Sequence, residues 1–224
     1  MENPYEEGRL LLINKPVDWT SFDVVKKLRY TLKVKKIGHA GTLDPLATGL
    51  LIIGTGKFTK KLNELQGLDK TYEGIIEIGK TTPSYDLETA FDSESEWSHI
   101  TGEDLEEARK AFLGDISQVP PAHSAVKVGG ERAYKKARKN EVVKLEPRLL
   151  TIHNFEIDAS NLPEVKFSVS CSKGTYIRSL AHDFGQKIGV GGYLKKLVRT
   201  SVGEYQLSDA VNLDEFILQH NEGS

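Results

Sequence analysis

"KKIGHAGTLDPLATGLL", residues 35–51, places a lysine pair, a lone histidine, three glycines and one Asp-Pro step directly before an apolar run. Gly38, Gly41 and Gly49 permit positive φ or close backbone approach, and Pro45 pins the residue before it into an extended geometry. Asp44 is thereby held rigidly on a loop. Taken alone, "TLDP" reads as readily as a purely structural Asp turn or helix N-cap as it does as a functional site, and a solitary His39 reads as a loop or packing residue rather than a catalyst. The apolar run itself, "TGLLIIGTG", is β-branched and closed by glycines, the pattern of a buried strand.

Outward from this stretch, "RLLLINKP" reads as a buried strand ended by Pro16, and Thr20 with Asp23 has capping-box spacing for a helix through about Leu32. The 35–51 motif is then expected in the loop that follows. "FTKKLNEL" has a helical pattern, "KTYEGIIEIG" alternates as a strand, and Thr101 with Asp104 starts a helix to about Leu113. "QVPPAHSAVKVGGERAYKKARKNE" is Pro- and Gly-punctuated and basic, suited to an arm with one short helix. Two strands, "RLLTIHNFEI" and "EVKFSVSCS", precede a helix over about 175–188, and "LDEFILQH" closes the chain as a helix. Without regular βαβ alternation or an internal repeat, the order points to an α+β fold.

A chain of 224 residues, 38% hydrophobic and 28% charged, is long enough to bury a substantial core. The single cysteine, Cys171, excludes an intrachain disulfide framework and fits a reducing compartment. The N-terminus is acidic and no stretch reaches membrane-span length, so the chain reads as cytoplasmic. Net charge is only −2, but it is segregated: nine acidic residues and no Lys or Arg from Asp86 to Glu107, and six basic residues with no acid from Val24 to Lys36. Lys127 to Arg148 carries eight basic and three acidic residues. Such a pattern suits a basic groove with an acidic outer face, because phosphate neutralisation depends on local charge, and on charge alone it suits two solvated helix faces and a charged loop equally well.

Two glycine motifs fail on spacing. "GTGKFT" has Leu51 and Phe58 where a P-loop needs Gly and Ser/Thr, and "GVGGYL" has Leu194 where the third dinucleotide-fingerprint glycine belongs. The six histidines form no HExxH pair or His-carboxylate cluster, so no metal site is expected.

"INKPVDWTSFDVVKKLR", "KKIGHAGTLDPLATGLL", "DKTYEGIIEIGKTT", "QVPPAHSAVKVGGERAYKKAR", "CSKGTYIRSLAHDFG" and "LVRTSVG" occur in that order. Together they resemble the TruB family of bacterial tRNA pseudouridine-55 synthases, from about Arg9 to Gly203. The resemblance implies a pseudouridine synthase fold, with a mixed, largely antiparallel sheet flanked by helices, in a single catalytic domain over 1–224. It also implies a basic, thumb-like arm over about 120–148. Many family members carry a further C-terminal PUA domain; here only a short helical tail follows the "RRT" position, so tRNA is to be gripped by the catalytic domain and its arm.

The implied reaction isomerises uridine 55 in the tRNA T-loop to pseudouridine, without cofactor or metal, in a monomer. Asp44 matches the family's catalytic aspartate, a nucleophile toward C1′ or C6. Arg178 in "GTYIRS" matches the arginine that pairs with it and keeps it ionised. Tyr72 in "KTYEG" matches the tyrosine that stacks on the target base and relays a proton from C5. His39 resembles the histidine that fills the space vacated by the flipped base. Tyr176 and Leu197 occupy pocket-lining positions, and Lys15 in "NKP" matches a position near the site with no definite role. Lys127, Arg132, Lys135, Lys136 and Arg138 are the arm's expected RNA contacts. Two departures fall outside these residues: His123 stands where the family commonly has Tyr in "PPxYSA", and "GKTTPSYDLE" replaces a Thr-Asp-rich continuation. A non-catalytic tRNA-binding or folding module, or a synthase acting on another RNA, are the competing readings.

Overall fold

A computed structural model describes residues 3–124, 126–137, 139, 141 and 143–221. In chain order the elements are α1 (Pro4–Glu7), β1 (Leu10–Lys15), α2 (Ser21–Leu32), β2 (Ile37–Ala40), β3 (Thr48–Thr55), α3 (Leu62–Gln66), β4 (Lys70–Ile78), β5 (Lys80–Thr81) and β6 (Ser93–Glu94). There follow α4 (Gly102–Lys110), β7 (Gly114–Gln118), β8 (Lys127–Val128), β9 (Glu131–Arg132), α5 (Ala133–Ala137), β10 (Arg148–Asn161) and β11 (Glu164–Cys171). The chain closes with α6 (Ile177–Lys187), β12 (Gly192–Val202), β13 (Tyr205–Gln206), β14 (Val211–Asn212) and α7 (Leu213–Asn221). The fold is α+β, its sheet mixed and mostly antiparallel. The chain forms two compact units, Met1–Tyr72 with Leu197–Ser224, and Glu73–Lys196, so it passes from one to the other inside β4 and inside β12.

In the first unit β3 is the central strand. It pairs antiparallel with β1 along one edge, and its other edge is shared by β12, parallel, and β2, antiparallel. Its residues from Gly49 to Thr55 are all buried, which is why the sequence there is continuously apolar rather than alternating. Leu51 and Ile53 face a cluster made by Ile13, Val24, Val25, Leu28 and Leu32 of β1 and α2 with Leu213, Phe216 and Ile217 of α7. Leu50 and Ile52 point the other way, onto Ala40, Leu62 and Val202. The α2 capping box is formed by Thr20 and Asp23 as the spacing predicts.

In the second unit the strand order is β4–β11–β10–β7, with β10 antiparallel to both neighbours. Phe155, Phe167 and Phe184 meet edge-on at its centre, with centroids 6.0–6.3 Å apart. The Thr101–Asp104 capping box starts α4, which ends at Lys110 rather than Leu113. There the N–H groups of Ala111, Phe112 and Leu113 turn back to carbonyls three residues earlier, and Gly114 at φ +82° closes the run. "FTKKLNEL" likewise divides, into a 3₁₀ stretch at Gly56–Lys61 and the short α3. The arm holds a two-stranded hairpin, β8 with β9, as well as its one short helix.

Candidate active site

The 35–51 motif is less of a loop than its composition suggests. Ile37–Ala40 is a strand paired with β3, and only residues 41–47 turn. Asp44 heads that turn: the N–H of Ala47 donates to the Asp44 carbonyl at 3.1 Å, with Pro45 at the position where its fixed φ serves a turn. Both sides of Asp44 are anchored. Leu43 exchanges two hydrogen bonds with the Ser21 hydroxyl at the start of α2, at 2.9 and 3.2 Å. The Pro45 carbonyl accepts the Asp18 N–H at 2.9 Å and the Lys15 ammonium at 3.2 Å. Lys15 is fully buried, and its Nζ also donates to the carbonyls of Pro16 at 2.8 Å and Trp19 at 2.6 Å. Burial lowers its pKa to about 8, against the opposing pull of Asp44 first and then Asp18.

The first unit also holds His39, Arg199, Tyr72 and Leu197. Arg199, on β12, is buried, and its guanidinium donates to the carbonyls of Leu50 at 2.8 Å and Gly41 at 3.1 Å. Gly49 pairs with Arg199 at φ +104°, where an added Cβ would lie 2.4 Å from the Arg199 carbonyl oxygen, so the close approach of β12 requires glycine there. His39 on β2 is half-buried, and burial is the main reason its pKa falls below the ordinary imidazole value; the charge of Arg199 adds to this while a backbone hydrogen bond at Gly41 opposes it. Neutral His39 therefore offers a ring face rather than a cation. Tyr72 and Leu197 are buried on β4 and β12, 7% and 8% exposed, and the Leu197 carbonyl accepts from Thr48 at 3.5 Å.

The second unit holds Arg178 and Tyr176. Arg178 lies in the first turn of α6 and is buried with Asp86, whose carboxylate is 3.6 Å from its Nε. Its terminal nitrogens donate to the carbonyls of Ser84 at 3.3 Å and His123 at 2.9 Å. Both sequence departures thus end on this arginine. His123 contributes a backbone carbonyl, which a Tyr at the same place would also present, and "GKTTPSYDLE" contributes Ser84 and Asp86. Asp86 is a correction to the acidic-face reading: it is buried and ion-paired, whereas Glu88, Asp92, Glu94 and Glu96 beyond it are exposed. Tyr176 caps α6 and is held through its backbone, with its N–H donating to Gln118 Oε1 at 2.9 Å and its carbonyl accepting from Gln118 Nε2 at 3.1 Å.

Asp86, Gln118 and Arg199 are the polar residues that sequence reasoning passed over. The available signal was a charged or amide side chain inside an apolar or turn-rich stretch, as in "KKLVRTSVG" for Arg199.

In the arm, Lys127 and Arg132 pair across β8 and β9, and Lys135 and Lys136 lie on α5 with Lys135 exposed. Arg138 lies outside the described residues. Among the described residues no group of His, Cys, Asp and Glu could hold a metal ion, and no helix is long and apolar enough to cross a membrane.

Residues 29–177 match the family described as TruB family pseudouridylate synthase (N terminal domain), and residues 178–222 match the tRNA pseudouridylate synthase B C-terminal domain. The chain belongs to the TruB family. It is 53% identical over 219 residues to the tRNA pseudouridine synthase B of Flavobacterium johnsoniae, covering 95% of this chain and 96% of that one. Identity to the tRNA pseudouridine synthase B of Bacteroides fragilis is 50% over 218 residues, covering 95% and 94%. Among solved structures, a Cbf5-Nop10-Gar1 complex matches at TM-score 0.73 and 26% identity, over 98% of this chain and 57% of that chain. An archaeal box H/ACA sRNP Nop10-Cbf5 complex matches in fold at TM-score 0.71 and 23% identity, over 97% and 55%. The TruB-family chain spans a little over half the length of those two chains and nearly all of its bacterial relatives. TruB membership makes it a pseudouridine synthase of α+β fold, as its motifs imply.

Proposed function

We propose that this chain converts uridine 55 in the T-loop of tRNA to pseudouridine, as one catalytic domain that uses Asp44 as nucleophile. The observation that carries the reading is the immobilised Asp44 turn, fastened by Ser21, Asp18 and Lys15. A carboxylate held so firmly is suited to meeting a reacting atom at a defined distance, and positioning of this kind lowers a barrier without any cofactor. The names of its bacterial relatives support tRNA as substrate.

In this reading the target nucleotide leaves its stack, since C1′ and C5 are inaccessible within it. Neutral His39 fills the vacated space, and Tyr72 and Leu197 receive the base. Asp44 either displaces N1 from C1′, forming an ester that breaks again when C5 of the rotated base bonds to C1′, or adds to C6 and is expelled after the C1′–N1 bond has broken and the C1′–C5 bond has formed. C5 then loses its proton to a base assisted by Tyr72, and N1 is reprotonated. Atoms balance, because product and substrate are isomers. Arg178 serves the reaction as a buried cation, and Lys127, Arg132, Lys135, Lys136 and Arg138 of the arm neutralise backbone phosphates.

The test is to incubate the full chain with unmodified tRNA, without metal or cofactor, and map pseudouridine by position. Modification at 55 alone is expected. Modification elsewhere would favour a different RNA context, and tight binding without modification would make the chain a binding module.

A further inference from the structure

Arg178 and His182 lie four residues apart on α6, and so on the same face one turn from each other. The His182 ring stacks on Tyr85, with centroids 3.8 Å apart and planes at 15°. Tyr85 belongs to the loop 82–86, the same loop that gives Arg178 the Ser84 carbonyl and the Asp86 carboxylate. One loop therefore grips two successive turns of one helix, through polar contacts at the first and an aromatic contact at the second.

The loop's internal bonds do a different job. Tyr85 N–H donates to the Thr82 carbonyl at 3.1 Å, Thr82 and Ser84 hydroxyls donate to the Asp86 carbonyl at 2.6 and 3.1 Å, and Leu194 N–H of β12 donates to the Tyr85 carbonyl at 2.9 Å. These bonds shape the loop and fasten it to β12; none of them reaches α6. Tyr85 is also at φ +66°, a left-handed conformation that is strained for a bulky residue and that glycine adopts freely. A ring kept at a glycine-like position needs a compensating contact, and the stack on His182 supplies one. Burial raises the Tyr85 phenol and lowers the His182 imidazole, so both rings are neutral near pH 7 and stack without repelling Arg178.

We propose that Tyr85 and His182 are positioning residues for pseudouridine formation, their stack locking the loop 82–86 against α6 so that Ser84 and Asp86 aim the Arg178 guanidinium. This rests on the reading that Arg178 serves the reaction. The stack touches no reacting atom and acts only through the arginine.

The test uses the full chain with Tyr85→Gly, Tyr85→Phe, His182→Ala and the Tyr85→Gly/His182→Ala pair. Glycine keeps the backbone conformation and removes the ring. At saturating tRNA, Tyr85→Gly and His182→Ala are each expected to slow single-turnover pseudouridine formation about tenfold with tRNA affinity unchanged, since small misalignments of reacting groups cost rates of this order. The double variant is expected to be no slower than either single one, and Tyr85→Phe to stay within about twofold of the parent chain. A Tyr85→Gly chain of undiminished rate, or losses that multiply in the pair, would overturn the proposal. Amide hydrogen exchange provides a second readout independent of activity: Tyr85→Gly should speed exchange at residues 82–86 and also at the start of α6. Unchanged exchange in α6 would also overturn it. A parent chain that makes no pseudouridine counts against the proposed function, whereas an active parent with an indifferent Tyr85→Gly counts against the lock alone.

Discussion

Ser21 and Leu43 satisfy each other twice: the Leu43 N–H donates to the Ser21 hydroxyl at 2.9 Å, and that hydroxyl donates to the Leu43 carbonyl at 3.2 Å. The serine is buried at the first position of α2, so the helix start and the peptide preceding Asp44 move as one body. Ser21→Ala strands a buried N–H and carbonyl. We expect a stability loss of about 1–3 kcal/mol in denaturant unfolding and a fall in pseudouridine formation larger than any fall in tRNA affinity.

Gly49 offers a sharper structural test. Alanine there combines a positive φ with a Cβ only 2.4 Å from the Arg199 carbonyl oxygen, which is backbone and cannot swing aside. Gly49→Ala should cost about 3 kcal/mol or more and separate β3 from β12 locally. Thermal unfolding measures the loss, and faster amide exchange at Arg199 would locate it.

Lys15 yields a pH dependence of definite sign. Its pKa is about 8 in the folded protein and 10.5 in the unfolded chain, so between these values the unfolded chain binds more protons and unfolding becomes less favourable as pH rises. From pH 7.5 to 9.5 this group alone should add about 2 kcal/mol of stability, an increment that Lys15→Met should lack. Over the same interval the amine loses one of the donors holding Pro16, Trp19 and Pro45, so turnover should fall while stability rises. Unfolding curves and single-turnover rates at the two pH values separate the effects.

Asp86→Asn removes the carboxylate facing Arg178 while leaving the Ser84 and His123 carbonyls in place. Loss of a carboxylate beside a buried guanidinium should destabilise the second unit by about 2–4 kcal/mol, read from denaturant unfolding. A loss within about 0.5 kcal/mol would mean that the Asp86 charge does not hold the arginine.

What the sequence made legible follows the range of the interactions. The Thr20–Asp23 and Thr101–Asp104 boxes, the buried β3 and the turn at Asp44 are local, set by residues within a few positions of one another, and each is present. The supports of the candidate site are not local. Arg199 reaches Gly41 across 158 positions, Arg178 reaches Ser84 across 94, and Gln118 holds Tyr176 across 58. No spacing rule reports such pairs. Asp86 was obscured by its neighbours, because one buried carboxylate at the head of a solvated acidic run has the same composition as the run. Gly38 and Gly41 on either side give His39 the composition of a loop, whereas pairing with Ile53 of β3 makes it a strand residue.

Asp44→Asn separates chemistry from architecture. Bonds through main-chain atoms help to fix this turn, namely the Asp44 carbonyl to Ala47, Leu43 to Ser21, and Pro45 to Asp18 and Lys15, and asparagine leaves these standing. Asparagine is also a good turn residue, and folding stability should change by about 1 kcal/mol or less. The variant loses a negative charge, and with it the proposed nucleophile and the strongest influence holding up the Lys15 pKa against burial. Pseudouridine formation should vanish, tRNA should bind with nearly unchanged affinity, and Lys15 should titrate below about 8 when its amine is followed by NMR. An asparagine variant that still converts uridine at a comparable single-turnover rate would leave Asp44 as a turn residue only, and the nucleophile would have to be sought elsewhere in the chain.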